Sequence, residues 1–368
     1  MKFFHISDLH LGKRLNEFSL IEDQEYILSE IVKFCEKERP DGIFIAGDIY
    51  DKSMPSAEAV GLFDRFLFSL SALNIKVFVI SGNHDSAERI AFGGRLMEKS
   101  GVYLSPVYSG ETKPISLENI DIYMLPFIKP AAVRKFFPEA ESYEEAVASA
   151  VSEMKLNRDK INILITHQFV VGAALSDSEE ISVGGTDSIS GEVFKDFSYV
   201  ALGHIHSPQT VLREGIRYSG TPLKYSFSET GQTKSITVLD INEKIEISEI
   251  PLKPLRDLRE KKGKYEDITN RENYKFENRE DYIHITLTDE EEVPEALGKL
   301  RVIYPNIMKL SYDNTRTKTA AHIDFTETAE TKSPIELFSE LYEKQNGREI
   351  TEKQIEFIKT LLEKEDNL

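Results

Sequence analysis

Histidine and acidic residues recur in short motifs before residue 207, and each motif directly follows an apolar run. Taken singly, an Asp or Asn at such a place is most often a turn residue or a helix cap, and a lone His is usually packed in the core. Five of the eight histidines stand in these motifs, however, which is not the pattern that chance would give. The motifs are Asp8-Leu9-His10, Gly47-Asp48, Gly82-Asn83-His84-Asp85, Thr166-His167 and Gly203-His204-Ile205-His206.

The side chains in these motifs suit a pair of metal ions. Carboxylate, imidazole and amide oxygen together favour Mn²⁺, Fe²⁺ or Zn²⁺, whereas Mg²⁺ and Ca²⁺ prefer oxygen ligands alone. Asp8 and His10 stand two residues apart, as do His204 and His206, so in an extended segment each pair points the same way. We therefore predict a metal centre built from several separate segments of the chain.

The segments that carry the motifs predict an α/β fold. Helical spacing of apolar residues predicts a helix over Gln24 to Lys37, and Ser56 can cap a second helix. Strands that alternate with helices pair in parallel, and ligands collect at the carboxyl ends of such strands. We therefore expect the motifs to meet along one rim. The strand candidates are Phe3 to Ser7, Gly42 to Ala46, Lys76 to Ser81, Asp121 to Leu125, Ile161 to Thr166 and Tyr199 to Leu202.

The sequence changes character after Pro251, which predicts further parts in the chain. Lys253 to Lys264 is charged and basic-leaning, as in a linker or an exposed arm. Strand candidates at Tyr282 to Leu287 and Ala321 to Phe325, with a helical pattern over Val293 to Tyr304, indicate a small α+β domain. The predicted parts are an α/β domain at 1–252, a basic linker at 253–268, a cap domain at 269–330 and a helical tail at 331–368.

The tail is predicted to form a helical hairpin. Ser333 to Glu336 and Thr351 to Gln354 are both capping boxes, and each helix carries an apolar stripe. Two short helices cannot bury two full stripes against each other, so they either pack back onto the preceding domains or dock a partner. The stripe residues are Ile335, Phe338, Leu341 and Tyr342 in the first helix and Ile355, Ile358, Leu361 and Leu362 in the second.

Composition restricts the class of protein. A net charge of −18 over 368 residues is unusual for an isolated DNA binder, although bound metals or a partner could supply positive charge. The lone Cys35 cannot form an internal disulfide, and we expect a buried structural thiol. We find no apolar run of membrane-spanning length and no secretory signal, so we expect a cytoplasmic protein without membrane contact.

The set and order of the motifs, DxH, GDxxD, GNHD, TH and GHxH, resemble the signature of the calcineurin-like metallophosphoesterases. Finer features are similar to the bacterial SbcD nuclease family: the opening SDLHLG, the segment ISVGGTDSIS (Ile181 to Ser190) and the segment GTPLKYSFSE (Gly220 to Glu229). Leu9 stands where that family usually has an aromatic residue, which is not a ligand position. The resemblance implies an α/β sandwich of two mixed sheets flanked by helices, followed by the cap domain and the tail.

The resemblance also implies roles for individual residues. His84 is expected to contact the phosphate and assist the leaving oxygen, and Asp51 is expected to orient it, unless Asp51 only caps a helix. Asp48 is expected to bridge two divalent ions, with Mn²⁺ as the expected metal. One ion would take Asp8, His10, Asp48 and His206, and the other would take Asp48, Asn83, His167 and His204.

The function implied by the resemblance is Mn²⁺-dependent hydrolysis of DNA, 3′–5′ from duplex ends and internally in single strands or hairpins. The implied partner is an SbcC-type ATPase with a long coiled coil, bound to the tail, in a heterotetramer that contains a homodimer of this chain. Two alternatives remain: a phosphatase or cyclic phosphodiesterase for small substrates, and a non-catalytic scaffold of the same fold. Basic residues that flank the motifs could contact DNA phosphates or could simply be solvated: Lys13, Arg14, Lys52, Arg89 and Arg95.

Overall fold

Alternating strands and helices form the first of two compact units, Met1–Leu258, which is followed by Arg259–Leu368. The structure is a computed structural model. It describes residues 1–179, 187–315, 338–339, 342–343, 350–351 and 354–356.

The helices and strands of the described residues are as follows. The strands are β1 Lys2–Ile6, β2 Arg14–Leu15, β3 Phe18–Ser19, β4 Gly42–Ala46, β5 Lys76–Ile80, β6 Val102–Leu104, β7 Ile115–Leu117, β8 Ile120–Leu125, β9 Ile161–His167, β10 Phe169–Val170, β11 Ser188–Ile189, β12 Tyr199–Gly203, β13 Gln209–Thr210, β14 Ile216–Tyr218, β15 Ser235–Ile241, β16 Ile245–Pro251, β17 Leu258–Gly263, β18 Tyr282–Leu287 and β19 Ile307–Tyr312. The helices are α1 Ile21–Glu38, α2 Ala57–Ala72, α3 Ala87–Ile90, α4 Gly94–Met97, α5 Pro130–Val133, α6 Tyr143–Ser152, α7 Tyr265–Thr269, α8 Arg271–Tyr274 and α9 Ala296–Arg301.

Two six-stranded sheets make up the first unit, and both are mixed, as predicted. The first has the order β16-β15-β1-β4-β5-β6, in which β1, β4, β5 and β6 run parallel and β15 runs antiparallel to β1. The second has the order β13-β14-β12-β9-β8-β7, with β14, β12, β9 and β8 parallel. The predicted α/β fold class is therefore confirmed, and the predicted strands fall in the centre of the two sheets.

The two sheets pack face to face over an apolar core. Successive side chains of a strand point to opposite faces of the sheet, so every second side chain of each strand enters this core. His5 also lies between the sheets, where its ring nitrogens contact the Tyr199 hydroxyl at 3.0 Å and the Leu202 carbonyl at 3.2 Å. The core between the sheets includes Phe3, Phe44, Ala46, Phe78, Ile80, Ile122, Ile163, Ile165 and Ala201.

Helices α1 and α2 cover the outer face of the first sheet. Helix α2 begins after Ser56, whose hydroxyl accepts a hydrogen bond from the Ala59 amide, as the sequence predicted. Helix α1 begins at Ile21, three residues before the predicted start at Gln24. Cys35 is fully buried on its apolar face, and burial raises the pKa of the thiol to about 12, so it is a structural residue.

The strand ends of the two sheets approach each other more closely than a side chain would allow. A Cβ atom at Gly203, the last residue of β12, would lie 1.9 Å from the carbonyl oxygen of Ala46, the last residue of β4. A Cβ atom at Gly82 would lie 2.1 Å from an oxygen of Asp48. These two glycines therefore let the loops after β4, β5 and β12 converge.

The interpretation of 253–268 as a linker is wrong for much of that range. Leu258–Gly263 is strand β17, an outer strand of the three-stranded sheet β17-β18-β19, and α7 follows it. Leu258 is buried, whereas the charged residues after it are half-buried or exposed. Lys261 donates to Glu277 at 2.7 Å and lies over the Tyr304 ring. The charges therefore belong to the outer strand of a sheet, which stays partly solvated.

Other expectations for the second half have mixed outcomes. The predicted strand at Tyr282 to Leu287 is β18, and α9 occupies the middle of the predicted helical segment. The sequence analysis missed β19, and its candidate strand at Ala321 to Phe325 lies outside the described residues. No helix in the described part of the chain is long and apolar enough to span a membrane.

In the tail, the described positions of both predicted helices are helical. Phe338 is exposed, and Tyr342 and Ile355 are half-buried. Gln354 accepts a hydrogen bond from the Thr351 amide at 3.0 Å, which is one half of the predicted capping box, and donates to the Tyr342 hydroxyl at 3.1 Å. The other stripe residues and the first capping box lie outside the described residues: Ser333, Ile335, Leu341, Ile358, Leu361 and Leu362.

Candidate metal centre

The predicted ligands converge at the carboxyl ends of strands from both sheets. Asp8 follows β1, Asp48 follows β4 and Asn83 follows β5, while His167 ends β9 and His204 follows β12. All of the predicted ligands except Asn83 are buried, and Asn83 is half-buried. The arrangement is the one expected for parallel strands whose ends share one rim.

One group of ligand atoms gathers Asp8, His10 and His206. The Nε2 atoms of His10 and His206 lie 3.2 Å apart. The three residues offer ligand atoms within 4.8 Å of one another. Ligands at right angles around an ion with bonds of about 2.1 Å lie about 3 Å apart, so this spacing fits a single bound ion.

A second group gathers Asn83, His167 and His204. The Asn83 Oδ1 atom lies 2.9 Å from Nε2 of His167 and 3.0 Å from Nδ1 of His204. An amide oxygen and two imidazole nitrogens at this spacing again fit the ligand shell of one ion. Among the described residues, Nε2 of His204 is buried without a hydrogen-bond partner, so the ring is held by the contact that Nδ1 makes.

Asp48 lies between the two groups. Its Oδ2 atom is 3.7 Å from Nε2 of His10 and 3.4 Å from Nε2 of His167. Its Oδ1 atom accepts a hydrogen bond from the His84 amide at 2.9 Å, which fixes the orientation of the carboxylate. The geometry therefore fits a bridging role for Asp48, with one oxygen facing both groups.

Burial favours the metal-binding form of His204 and His206, whereas at His167 burial is outweighed by the Asp48 carboxylate, which raises the pKa of the ring to about 9. Burial lowers the pKa of His204 to about 4, and burial with the nearby His10 lowers the pKa of His206 well below its usual value. These rings are therefore neutral near pH 7, which is the form that binds a metal. Burial raises the pKa of Asp8 to about 7, and the neighbouring Asp48 carboxylate adds to that shift. A cation would relieve the repulsion between these two carboxylates.

Several ligand residues have strained backbone conformations. The φ angles are 53° at Asp8, 43° at His10, 48° at Asp48 and 104° at His204. Such positive φ angles are uncommon for residues with a side chain and cost roughly 1–3 kcal/mol each. These backbone conformations turn the side chains of consecutive motifs toward a common point. The packing of the preceding strands holds the strained conformations in place.

His84 lies at the mouth of the site, with 15% of its side chain exposed. Its Nδ1 atom is 3.1 Å from the backbone carbonyl of Asp51, which can only accept, so Nδ1 carries the hydrogen. Asp51 therefore orients His84 through its main chain. Its carboxylate contacts instead Lys13 at 2.9 Å and lies 3.8 Å from Nδ1 of His10. The second Asp of the GDxxD motif thus holds the His84 ring by a hydrogen bond and lies near the His10 ring without bonding to it.

Three residues to which the sequence patterns assigned no role hold the motifs in place. Asp85 accepts hydrogen bonds from the amides of Gly82, Ile49 and Tyr50 at 2.9 to 3.0 Å, which ties the loop after β5 to the loop after β4. Gln24 of α1 donates to the His10 carbonyl at 2.7 Å. The Tyr225 hydroxyl donates to the carbonyl of Leu9. Asp85 could have been suspected from its place in GNHD and Tyr225 from its place in GTPLKYSFSE, whereas Gln24 stands in no recognisable pattern.

The five basic residues proposed to contact DNA fall into two classes. Lys13 is half-buried, paired with Asp51, and lies 5.5 Å from the centre of the Tyr225 ring. Its ammonium group is therefore part of the site's own packing. The other four are exposed on the surface of the first unit: Arg14, Lys52, Arg89 and Arg95. Their positions are compatible both with contacts to DNA phosphates and with simple solvation.

Comparison with known proteins gives family matches over both parts of the chain. The profile of the calcineurin-like phosphoesterases matches residues 1–208. The profile of the type 5 capsule protein repressor C-terminal domain matches residues 254–346. The second match begins within the range that we had interpreted as a linker.

Two named relatives resemble most of the chain. The SbcD subunit of the SbcCD nuclease of Staphylococcus epidermidis is 40% identical over 319 residues, which are 84% of this chain and 85% of the relative. The SbcD subunit of Staphylococcus saprophyticus subsp. saprophyticus is 36% identical over 329 residues, which are 88% and 87% of the two chains. The crystal structure of a dimetal phosphatase from Danio rerio matches with a TM-score of 0.40 and 11% identity, covering 69% of this chain and 98% of that chain.

Replacing Asp48 with alanine should remove both ions, because its carboxylate faces both ligand groups and separates their charges. Elemental analysis after dialysis against Mn²⁺ checks the stoichiometry. The matched control is Asp121→Ala, which removes another buried carboxylate of the first unit, paired with Lys160 at 2.9 Å. The control should keep both ions. Two ions retained in Asp48→Ala would contradict the bridging assignment.

Proposed function

The chain belongs to the calcineurin-like phosphoesterase family and, within it, groups with the SbcD subunits of SbcCD nucleases; on this premise we propose that it is the nuclease subunit of an SbcCD-type complex. It hydrolyses the phosphodiester bonds of DNA with two divalent ions, and Mn²⁺ is the proposed metal. The observation that carries this proposal is the position of Asp48 Oδ2 between two groups of ligand atoms.

The mechanism assigns each group a task. Two divalent ions held by these ligand groups would lower the pKa of a water molecule and neutralise charge on the phosphate, which would favour in-line attack. The Asp48 carboxylate lies between the two ligand groups and fixes their position relative to each other. His84 is held by the Asp51 carbonyl with its Nε2 atom directed to the site, 3.9 Å from Asp48 Oδ2. With a hydrogen on both ring nitrogens, the imidazolium can donate from Nε2 to the phosphate and pass that proton to the leaving oxygen, which leaves the neutral ring with its hydrogen on Nδ1.

The charge of the chain bears on how it binds DNA. A net charge of −18 opposes a polyanionic substrate, since nucleic-acid affinity normally rests on cationic contacts. The proposed solution is a partner that supplies most of the phosphate contacts, with the exposed arginines and lysine near the site adding a few. We further propose 3′–5′ digestion of duplex ends and internal cleavage of single strands or hairpins, acting in DNA repair in the cytoplasm.

The two alternatives have less support. A non-catalytic scaffold would tolerate missing or misplaced ligands, yet every predicted ligand is present and gathered at one rim. A phosphatase for small substrates has no evident need of a second unit of about 110 residues. The named relatives, which cover most of the chain, are nuclease subunits.

Replacing His84 with asparagine should leave both ions bound but lower the rate of DNA cleavage by about 10²–10⁴, the usual contribution of a general acid. The assay is Mn²⁺-dependent release of nucleotides from a labelled duplex, with metal content measured on the same sample. The control is His284→Asn, which changes a histidine of the second unit that contacts Glu260 and Ser311. Wild-type rates in His84→Asn would remove this residue from the mechanism.

We propose the tail as the docking element for the SbcC-type ATPase. Its two amphipathic helices would lie on the coiled coil of that partner, with apolar anchors in a groove. Phe338 is 42% exposed in the described part of the tail, so an anchor is available to a partner. The alternative, packing of the tail onto this chain, would not need an exposed aromatic side chain at that position.

Replacing Phe338 with glutamate should weaken copurification with the ATPase by at least tenfold, because a charge would be forced into an apolar contact. Metal content and cleavage of a small phosphodiester should not change. The control is Phe276→Glu, at an aromatic residue of the second unit that is 91% exposed. Equal recovery of the ATPase with both variants would show that the interface lies elsewhere.

We also propose that two copies of the chain form a homodimer through the outer surface of α2, α3 and α4. Right-handed crossovers place these helices side by side on one face of the first sheet, and the Ser71 hydroxyl contacts the Ser100 carbonyl at 3.0 Å. Large apolar side chains that are exposed on these helices or directly beside them in the chain would suit a second copy. They are Met54, Val60, Phe68, Phe92 and Leu96, which are 73%, 44%, 74%, 84% and 78% exposed.

A Leu96→Glu, Phe68→Glu double variant should be monomeric, because two charges would be buried at the pair interface. Analytical ultracentrifugation at micromolar concentration measures the change in mass from about twice the chain mass to the chain mass. The control is Leu212→Glu, at a leucine of the first unit that is 67% exposed on another surface. A monomeric wild-type protein, or an unchanged dimer in the double variant, would refute this interface.

A further inference from the structure

The segment Gly220 to Glu229 stands out in the sequence, yet the proposed chemistry leaves most of it without a role. In the structure it lies against the metal ligand His206. Thr221 donates its amide hydrogen to the His206 carbonyl at 3.1 Å. Glu229, at the other end of the segment, is fully buried behind the same residue.

Every polar atom of His206 except Nε2 is bound by a side chain of this chain. Its amide donates to Glu179 at 2.8 Å, and its carbonyl accepts from Lys234 at 2.8 Å. Its Nδ1 atom lies 2.6 Å from the Ser178 hydroxyl oxygen. Only Nε2 faces the other ligands, 3.2 Å from Nε2 of His10.

Lys234 and Glu229 form a buried ion pair beneath this residue. The Lys234 ammonium group is 2.6 Å from Glu229 Oε2, and the two side chains are 4% and 0% exposed. Its other donors reach the carbonyl of His206 and the side-chain oxygen of Gln232, at 2.8 and 2.7 Å. Lysine has three N–H donors, so all three are satisfied and the ammonium group is anchored.

The carboxylate of Glu229 is surrounded by donors. Besides Lys234, the hydroxyl groups of Ser178 and Ser226 donate to Oε1 at 2.6 and 2.9 Å, and the amide of Tyr225 donates at 3.2 Å. Its partner in the buried ion pair is the Lys234 ammonium group, so Glu229 stands there as a carboxylate, which can only accept hydrogen bonds.

This arrangement determines where the proton of the His206 ring lies. Ser178 has one hydroxyl hydrogen, and it points to Glu229. The Ser178 oxygen can then only accept from the His206 ring, so Nδ1 carries the hydrogen. The lone pair is left on Nε2, which is the atom directed to the metal site.

We propose that Glu229, acting through Ser178, is a positioning residue that fixes the tautomer and orientation of His206 so that Nε2 is presented to a divalent ion. The proposal rests on the metal-dependent function proposed above. Carboxylates that bind the far nitrogen of a ligand histidine commonly contribute 10- to 100-fold in metal affinity. Here the carboxylate acts through a hydroxyl group, and the ion pair with Lys234 holds it in place.

The relay should serve one ion only. In the described part of the chain, Nδ1 of His10 has no hydrogen-bond partner, and Nδ1 of His167 contacts the Ala46 carbonyl at 2.8 Å. Among the described residues, His206 is thus the ligand imidazole whose far nitrogen is hydrogen-bonded, through a hydroxyl group, to a buried carboxylate. Loss of the relay should weaken the ion held by Asp8, His10 and His206, and leave the ion held by Asn83, His167 and His204.

Calorimetric titration of the metal-free protein with Mn²⁺ tests this selectivity. In Ser178→Ala the affinity of one site should fall 10- to 100-fold while the other is unchanged, and Ser178→Thr should restore it. Glu229→Gln should give the same pattern. The control is Ser226→Ala, which removes another hydroxyl from the same carboxylate without touching His206 and should leave both affinities as in the wild type.

A second measurement needs no metal. Long-range ¹H–¹⁵N spectra of histidine-labelled, metal-free protein, assigned with a His206→Gln variant, should show the His206 proton on Nδ1 and a mixture of tautomers in Ser178→Ala. A wild-type proton on Nε2, or equal affinity losses at both sites in Ser178→Ala, would overturn the relay. Failure of the wild type to bind Mn²⁺ would contradict the proposed function separately, because the tautomer spectra judge the relay alone.

Discussion

The structure depends on one buried carboxylate that is shared by imidazoles from both sheets. Asp48 is 2% exposed and lies within 4 Å of ring nitrogens of His10, His84 and His167. Burial alone would raise its pKa, but these imidazoles lower it, so the carboxylate remains charged. A buried charge is tolerated only with such partners. The sheets must therefore pack closely enough to deliver them, which explains why only glycine fits at position 203.

Much of this site could be predicted because its pattern is local. A polar motif directly after an apolar run identifies a strand end, and parallel strands bring their ends to one edge. Neither step needs knowledge of which strands are neighbours. The roles of His84 and Asp51 came from family resemblance, and the structure changes the second: Asp51 reaches His84 with its backbone carbonyl, a contact that no side-chain pattern encodes.

What escaped prediction is held by contacts between irregular segments. Ser178 lies in a loop, Glu229 ends the short 3-10 helix Phe227–Glu229 and Lys234 directly precedes β15, so no periodicity marks any of them as a buried polar residue. Strand β17 was missed for a different reason: charged residues dominate it because an outer strand is partly solvated, and composition then resembles a linker. In both cases the role of a residue depends on which residues surround it in the folded protein. The sequence shows only the chemical type of the residue itself.

The pairing of β1 with β15 has a consequence for synthesis of the chain. Lys2 is opposite Asp240, and Asp8 accepts a hydrogen bond from an amide 196 residues away. Strand β1 is therefore synthesised well before β15, which is one of the last strands of the same unit. At usual elongation rates the interval between them is on the order of 10–50 s. A nascent polypeptide that is interrupted before His206 lacks one of the predicted ligands and cannot assemble the complete centre.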